Sequence, residues 1–576
     1  MDLKQLLRSA LLGAFALTGL ASGPSAEEPP PRSPLNARLF YEILLGELSI
    51  RAEDSGAGFA LMLDAARRTQ NPDLYRRAVD IALRSRAGQS ALNAARAWVQ
   101  ADAQSRDALR YLLQILLGLN QPREAATPLS RLLELTADDE KSDLIWSIPG
   151  IFEHASDKLL ASRVVEQALS PVLKSPRHGP TAWASIARMR INAGEPEKAV
   201  LAISEGHALD ASSERPLLVA LTLLDGKHPK LEDLVRAYEL HAEPDFRLRY
   251  ARALLNQQRI KDAQSALTSL QARSPEFAEG WLVQGLLSEA LVQDAQAQTQ
   301  LQTYLKLTDP ANTNQVTPET RRGRSQAFMG LADIAERQKD WASAQAWLQR
   351  VDSPQEAMRA SIKLARLLAR QSRVEEALTL IEQQQATSAD EARLKVNATV
   401  QILRDSKQFD RAKALLTQIL ARNPGETESI YTLAMVHERL GDLAEMERLL
   451  RQIISLKPDD SSAYNALGYS LADRGERLPE AKDLIRKALE LSPNDPFITD
   501  SLGWAEFKSG NFDEALRLLT QAFESRPDAE IAAHLGEVLW MQQKRSQAVD
   551  IFRRGMQLND QNETLLETIK RLNVTL

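Results

Sequence analysis

In the last third of the chain, apolar residues recur three and four positions apart in runs about a dozen residues long. Short polar breaks separate the runs. This is the spacing of amphipathic helices rather than strands. The breaks are regular: Pro424, Pro458, Pro493 and Pro527 lie 34, 35 and 34 residues apart, each after such a run. Between them the same order returns. Leu433-Ala434, Leu467-Gly468 and Leu502-Gly503 fall in a first helix, Gly441, Gly475 and Gly510 at a turn, and Met446, Ala481 and Ala515 in a second helix. Each period therefore predicts a helix-turn-helix pair, closed by a proline that cannot continue the helix. The small residues mark where two helices approach closely while large apolar neighbours fill the grooves.

The small residue of the second helix carries the register backward. It runs from Ala548 through Ala515, Ala481, Met446, Ala412, Ala377 and Ala344 in steps of 33 to 35. After a jump of 47 it resumes at Ala297 and Ala263. The excess length fits the polar stretch 308–325, which contains Asp309-Pro310 and Arg321-Arg322-Gly323-Arg324 and predicts an inserted, solvated loop. Another well-formed unit holds Pro180, Trp183, Ala187, Gly194 and Ala199, and near the start Ala57, Ala91 and Ala125 keep two steps of 34. The stretches Ser142–Arg177 and Ser212–Asp245 read as helical pairs without the marker. About fifteen units are expected, in an amino-terminal array over 37–307 and a carboxyl-terminal array over 326–576.

The spacing and the small/large pattern resemble the tetratricopeptide repeat. The resemblance implies an all-α, right-handed α-solenoid superhelix whose units each bury their apolar faces against their neighbours. It also implies that first helices line an inner groove, with their fifth, ninth and twelfth positions facing it together. Counting Gly468 and Gly503 as position eight puts Tyr431, Asn465 and Asp500 at position five. Tyr469 and Trp504 fall at position nine, and Phe507 and Trp540 at position twelve. These seven residues are the expected partner-binding site. Aromatic side chains supply contact area and an amide can pair with a peptide backbone.

The rest of the composition mainly removes alternatives. The 576 residues carry 71 Lys+Arg against 77 Asp+Glu, a net charge of -6, which gives no global reason to bind nucleic acid. There is no Cys, hence no disulfide, thiolate metal site or Cys nucleophile. The seven histidines (His154, His178, His207, His228, His241, His437 and His534) are scattered, none in a zinc-binding spacing, and no phosphate-binding loop is present. No catalytic residue, metal or cofactor is expected. Met1 to Arg8 carries Lys4 and Arg8, Ser9 to Ala21 is nearly all apolar or small, and Ala21-Ser22-Gly23 closes the run. That order predicts a secretory signal peptide over 1–23, followed by a Pro-rich tether over 24–36 and export to the periplasm or beyond. No later segment is long and apolar enough to span a bilayer.

Residues 460–560 carry a narrower likeness. The runs Tyr464-Asn465-Ala466-Leu467-Gly468-Tyr469, Asp500-Ser501-Leu502-Gly503-Trp504 and Ala532-Ala533-His534-Leu535-Gly536 resemble the LbcA-like family of bacterial envelope tetratricopeptide adaptors. That likeness implies an adaptor for a carboxyl-terminal processing protease and its substrates. Members are lipoproteins that need a Cys after the signal peptide, so the lipid anchor does not carry over to this chain. The other readings open at this stage are an assembly factor of an exopolysaccharide or cell-wall synthesis machine, and an enzyme whose site the residues do not reveal.

Overall fold

The computed structural model describes residues 37–311 and 316–576; the expected signal peptide and tether lie outside them. Among the described residues every regular element is a helix, and fifteen antiparallel helix pairs follow one another, with a final helix at Glu563–Arg571. The fold is an all-α helical-repeat solenoid. It divides between Phe277 and Ala278 into two units. The first holds seven pairs, from Ala37–Arg51 with Ser55–Thr69 to Pro244–Asn256 with Ile260–Arg273. The second holds eight, from Ala278–Ala290 with Asp294–Leu307 to Ala529–Met541 with Arg545–Leu558.

The marker alanines sit where the spacing puts them. Ala91, Ala199, Ala263, Ala297, Ala344, Ala377, Ala412, Ala481, Ala515 and Ala548 are buried in their second helices, with Met446 in the same place and Ala125 buried in the 3-10 turn Pro122–Ala125 that opens its own. Each stands four residues past its helix's cap, where a larger side chain would push the first helix away. Two details of the register differ from the sequence reading. In the first pair the buried position is Gly58, four past the cap Asp54, and Ala57 beside it is half-buried. A Cβ on Gly58 would stand 3.0 Å from the Gly46 carbonyl oxygen of the opposing helix, so only glycine fits. The 142–177 stretch does carry the marker: Ala161, four past the cap Asp157, is fully buried. It was missed because its steps to Ala125 and Ala199 are 36 and 38 rather than 34.

The expected loop over 308–325 is shorter than the sequence suggested. A helix runs from Pro318 to Arg337, so Arg321, Arg322, Gly323 and Arg324 are helical. Proline at the first turn costs no hydrogen bond, and the Thr317 hydroxyl accepts from the Thr320 N–H at 3.1 Å to cap it. The basic run is used internally. Arg324 donates to the Leu305 and Thr308 carbonyls, both at 2.9 Å, and Arg322 pairs with the buried Glu356 at 3.1 Å. These contacts tie Asp294–Leu307 to the helix that follows, and the pair belongs to the second unit rather than to an amino-terminal array.

In the second unit the turns after first helices use Gly441, Gly475 and Gly510 at φ of 75°, 68° and 84°, a region glycine enters without strain. The chain also meets itself at long range. The Arg439 guanidinium lies 3.3 Å from Glu563, 124 residues further on, so the last helix returns to the end of Thr427–Arg439.

Candidate functional site

Four consecutive first helices build the candidate site: Thr427–Arg439, Ser461–Asp473, Pro496–Lys508 and Ala529–Met541. Aspartates start the last three. Asp460 accepts from the Ala463 N–H at 3.2 Å, Asp495 from Phe497 at 2.8 Å and Ile498 at 3.1 Å, and Asp528 from Glu530 at 2.8 Å. Their depth is set by the glycine at position eight. A Cβ on Gly468 would lie 2.6 Å from Ile485 Cγ1, and one on Gly503 2.7 Å from Leu519 Cγ. With each helix seated on its partner in this way, side chains one repeat apart meet at the same height.

They meet at a residue the sequence reading had set aside. His534, 2% exposed, sits between Asp500 and Trp504 of one neighbouring helix and Tyr469 of the next. Its Nδ1–H donates to the Asp500 carboxylate, with oxygens at 2.9 and 3.0 Å, which fixes the tautomer. Its Nε2 lies 3.3 Å from the Tyr469 hydroxyl, and its ring stacks on Trp504 with centroids 4.3 Å apart. The Trp504 indole N–H donates to Asp473 at 3.0 Å. Lys508 closes the arrangement, donating to the Asp473 carbonyl at 2.7 Å and lying over the Trp504 ring.

This geometry corrects two of the expected contact residues. Trp504 and Asp500 are 4% and 5% exposed, so neither is an open anchor for a partner. They are a wedge and a counter-ion inside the stack. Both are consumed by His534, whose separation of 34 residues from Asp500 equals one repeat and was the available signal. The other five stay at the surface of this core. Tyr431, Asn465, Tyr469, Phe507 and Trp540 are half-buried. Phe507 packs against Trp504 at 5.1 Å and Phe512 at 5.6 Å, and Arg545 lies 3.8 Å over the Trp540 ring. The Asn465 Oδ1 is buried and accepts no hydrogen bond among the described residues.

The charges are arranged around the same point. Burial pushes the Tyr469 phenol far up, reinforced by Glu530, Asp473, Asp500 and Glu438. Burial alone would lower His534, but the charge and hydrogen bond of Asp500, with the fields of Glu530 and Asp473, outweigh it and raise the imidazole. Glu438 and Glu530 are both raised by their loss of water, which outweighs the opposing charges of Arg439 at the first and His534 at the second. Both also remain exposed by surface area. A side chain that solvent reaches, yet that protein surrounds, lies in a concavity. Among the described residues no group of His, Asp and Glu is placed to hold a metal ion, and no helix is long and apolar enough to cross a membrane.

Tetratricopeptide-repeat family models match residues 248–311, 403–468 and 501–562. A Pseudomonas aeruginosa protein described as TPR repeat-containing protein PA4667 is 33% identical over 211 residues, 37% of this chain. The match spans 36% of that protein's length. Solved structures similar to this chain include a tetratricopeptide repeat protein of Parabacteroides merdae, at 15% identity and a TM-score of 0.34, covering 43% of this chain and 99% of that one. The Cut9 and Hcn1 hetero-tetramer of the APC/C matches at 14% identity and a TM-score of 0.32, covering 92% of this chain and 98% of the matched chain.

Proposed function

We propose, from the premise that this is a tetratricopeptide-repeat protein, that it works in the bacterial cell envelope as an exported adaptor. Tetratricopeptide repeats act as protein-protein interaction scaffolds, presenting a surface to partner proteins rather than performing chemistry. The partner in this reading is a carboxyl-terminal processing protease, which the scaffold brings to its substrates. Support for the envelope and the protease comes from the order of residues 1–23 and from the likeness carried by Tyr464–Tyr469, Asp500–Trp504 and Ala532–Gly536.

The observation that carries the binding reading is Asn465. Its Oδ1 is buried and accepts no hydrogen bond among the described residues, while the side chain as a whole is half-buried, so a rotation of the amide would turn this free acceptor toward a peptide N–H laid along the concavity. Half-buried Tyr431 and Tyr469 flank it with surface suited to an extended segment. The tagged chain is passed through periplasmic extract and bound proteins are identified by mass spectrometry. The protease should elute with the chain and be lost with Asn465→Ala, which still folds. Recovery of exopolysaccharide or cell-wall synthase components in its place would move the assignment to an assembly factor. Recovery of the protease by the Asn465 variant at full yield would remove the groove from the account.

A further inference from the structure

A second binding place lies outside the aromatic core. Twelve residues before the markers Ala515 and Ala548 stand Gly503 and Gly536, the positions that pack against the second helix. Before Ala412 that position is Val400, a β-branched residue. Beside Val400, toward residues 389–397, Ala389–Asp405 and Phe409–Arg422 leave a gap. The gap is a cleft of about 580 Å³, closed on its third side by Glu426 and Ser429 at the start of the next pair. Its floor is half-buried Val396, Leu415 and Ile419. This is the size and lining of a site that takes an apolar group with a few polar contacts.

The rim decides what that group brings with it. Arg393 and Arg422 stand at the mouth. Arg393 is turned to Asp390 at 3.0 Å, whereas Arg422 is exposed and forms no ion pair among the described residues. Glu426, the carboxylate on the other edge, already accepts from the Ser429 hydroxyl at 2.9 Å. A purely apolar occupant would leave the Arg422 guanidinium without a partner, and a basic one would stand beside it unmatched. A carboxylate on the occupant would be matched. The floor is a single cleft within one helix pair and its neighbour, too small an area for a stable dimer with a second copy. A segment of another protein fits the space.

We propose that this cleft receives an extended segment of a partner protein carrying a bulky apolar side chain with an acidic residue two positions away, on the same side of the chain. The apolar side chain covers Val396, Leu415 and Ile419 while the carboxylate pairs with Arg422. The site is separate from the Asn465 concavity and does not depend on the protease being the partner.

The test uses the full chain with ¹³C-labelled Ile, Leu and Val methyl groups and two blocked peptides, acetyl-Phe-Gly-Glu-Gly-amide and its neutral counterpart acetyl-Phe-Gly-Gln-Gly-amide. The Ile419, Leu415 and Val396 methyl signals should shift saturably with the acidic peptide. The neutral peptide should bind about fivefold more weakly, the size of a lost ion pair at an exposed arginine. In Arg422→Gln, whose exposed position leaves folding unaffected, the two peptides should become equal. No shift of these methyls with either peptide would overturn the proposal. So would equal affinities in the unaltered chain, or a preference that survives Arg422→Gln.

Discussion

His534 shows what a single residue does when the repeat sets its neighbours. It bonds Asp500 at one repeat's distance and reaches Tyr469 two repeats away, so three consecutive units are joined through one imidazole. Trp504, stacked on it, is structural. Trp504→Ala should cost roughly 3–5 kcal/mol, the range for emptying a buried aromatic site. Urea unfolding measures that cost, and partner affinity of the fraction still folded should be unchanged. The His534 pKa is raised in the fold, so its stabilising contribution is complete below the unfolded value near about pH 6.5 and fades as pH rises through the folded value. Glu438 and Glu530, also raised, act with the same sign, since their charging cost grows above about pH 4.5. Hydrogen exchange over residues 461–541 should therefore be better protected at pH 6 than at pH 8 once corrected for intrinsic rate. His534→Gln, which can still donate to Asp500, should shrink the difference. The sequence exposed Asp500 and Trp504 as groove positions by counting from Gly503, but counting gives a side chain's height on a helix and not its neighbours. A histidine judged alone looks like a scattered polar residue. Paired with the residue 34 positions before it, it becomes the centre of a packed core.

At the scale of a helix, the fold was legible wherever a small residue does the packing. Ala481 and Ala515 are fully buried, and Ile485 lies where a Cβ on Gly468 would go. Ala481→Leu should therefore cost about 1–3 kcal/mol through overpacking. Exchange protection should fall in Ser461–Asp473 and the adjoining units before it falls in distant ones, and unchanged local protection would mean the register is wrong. Legibility failed where a signal belonged to turns rather than periods. Asp309-Pro310 and a run of arginines read as loop, yet Thr317 and Pro318 form a good helix start and the arginines spend their charge on Glu356 and on carbonyls of the preceding helix. Helix starts are local, whereas the need for those arginines is set by partners 16 to 34 residues away. Thr317→Val should cost about 1 kcal/mol by removing the cap while keeping the shape of the side chain, read as earlier thermal melting of Pro318–Arg337.

At the scale of the whole molecule, fifteen helix pairs account for nearly all of the described chain, and each pair depends mainly on the next. This is why most units could be counted from one repeated small residue, with 142–177 and 212–245 counted as helical pairs without it. The contact of Arg439 with Glu563 could not be counted, because it depends on curvature accumulated over more than three repeats. Both side chains are exposed, and the pair adds little to stability. A scaffold of this kind is defined by what it holds and where. The decisive measurement places an aromatic photo-crosslinking amino acid at half-buried Tyr431 in living cells, leaving Asn465 in place, with a second version at exposed Gln521 on a second helix as the control. The account predicts one ultraviolet-dependent adduct from position 431, identified by mass spectrometry as a carboxyl-terminal processing protease of the envelope, and none from position 521. No adduct from position 431, or the same adducts from both positions, would contradict it.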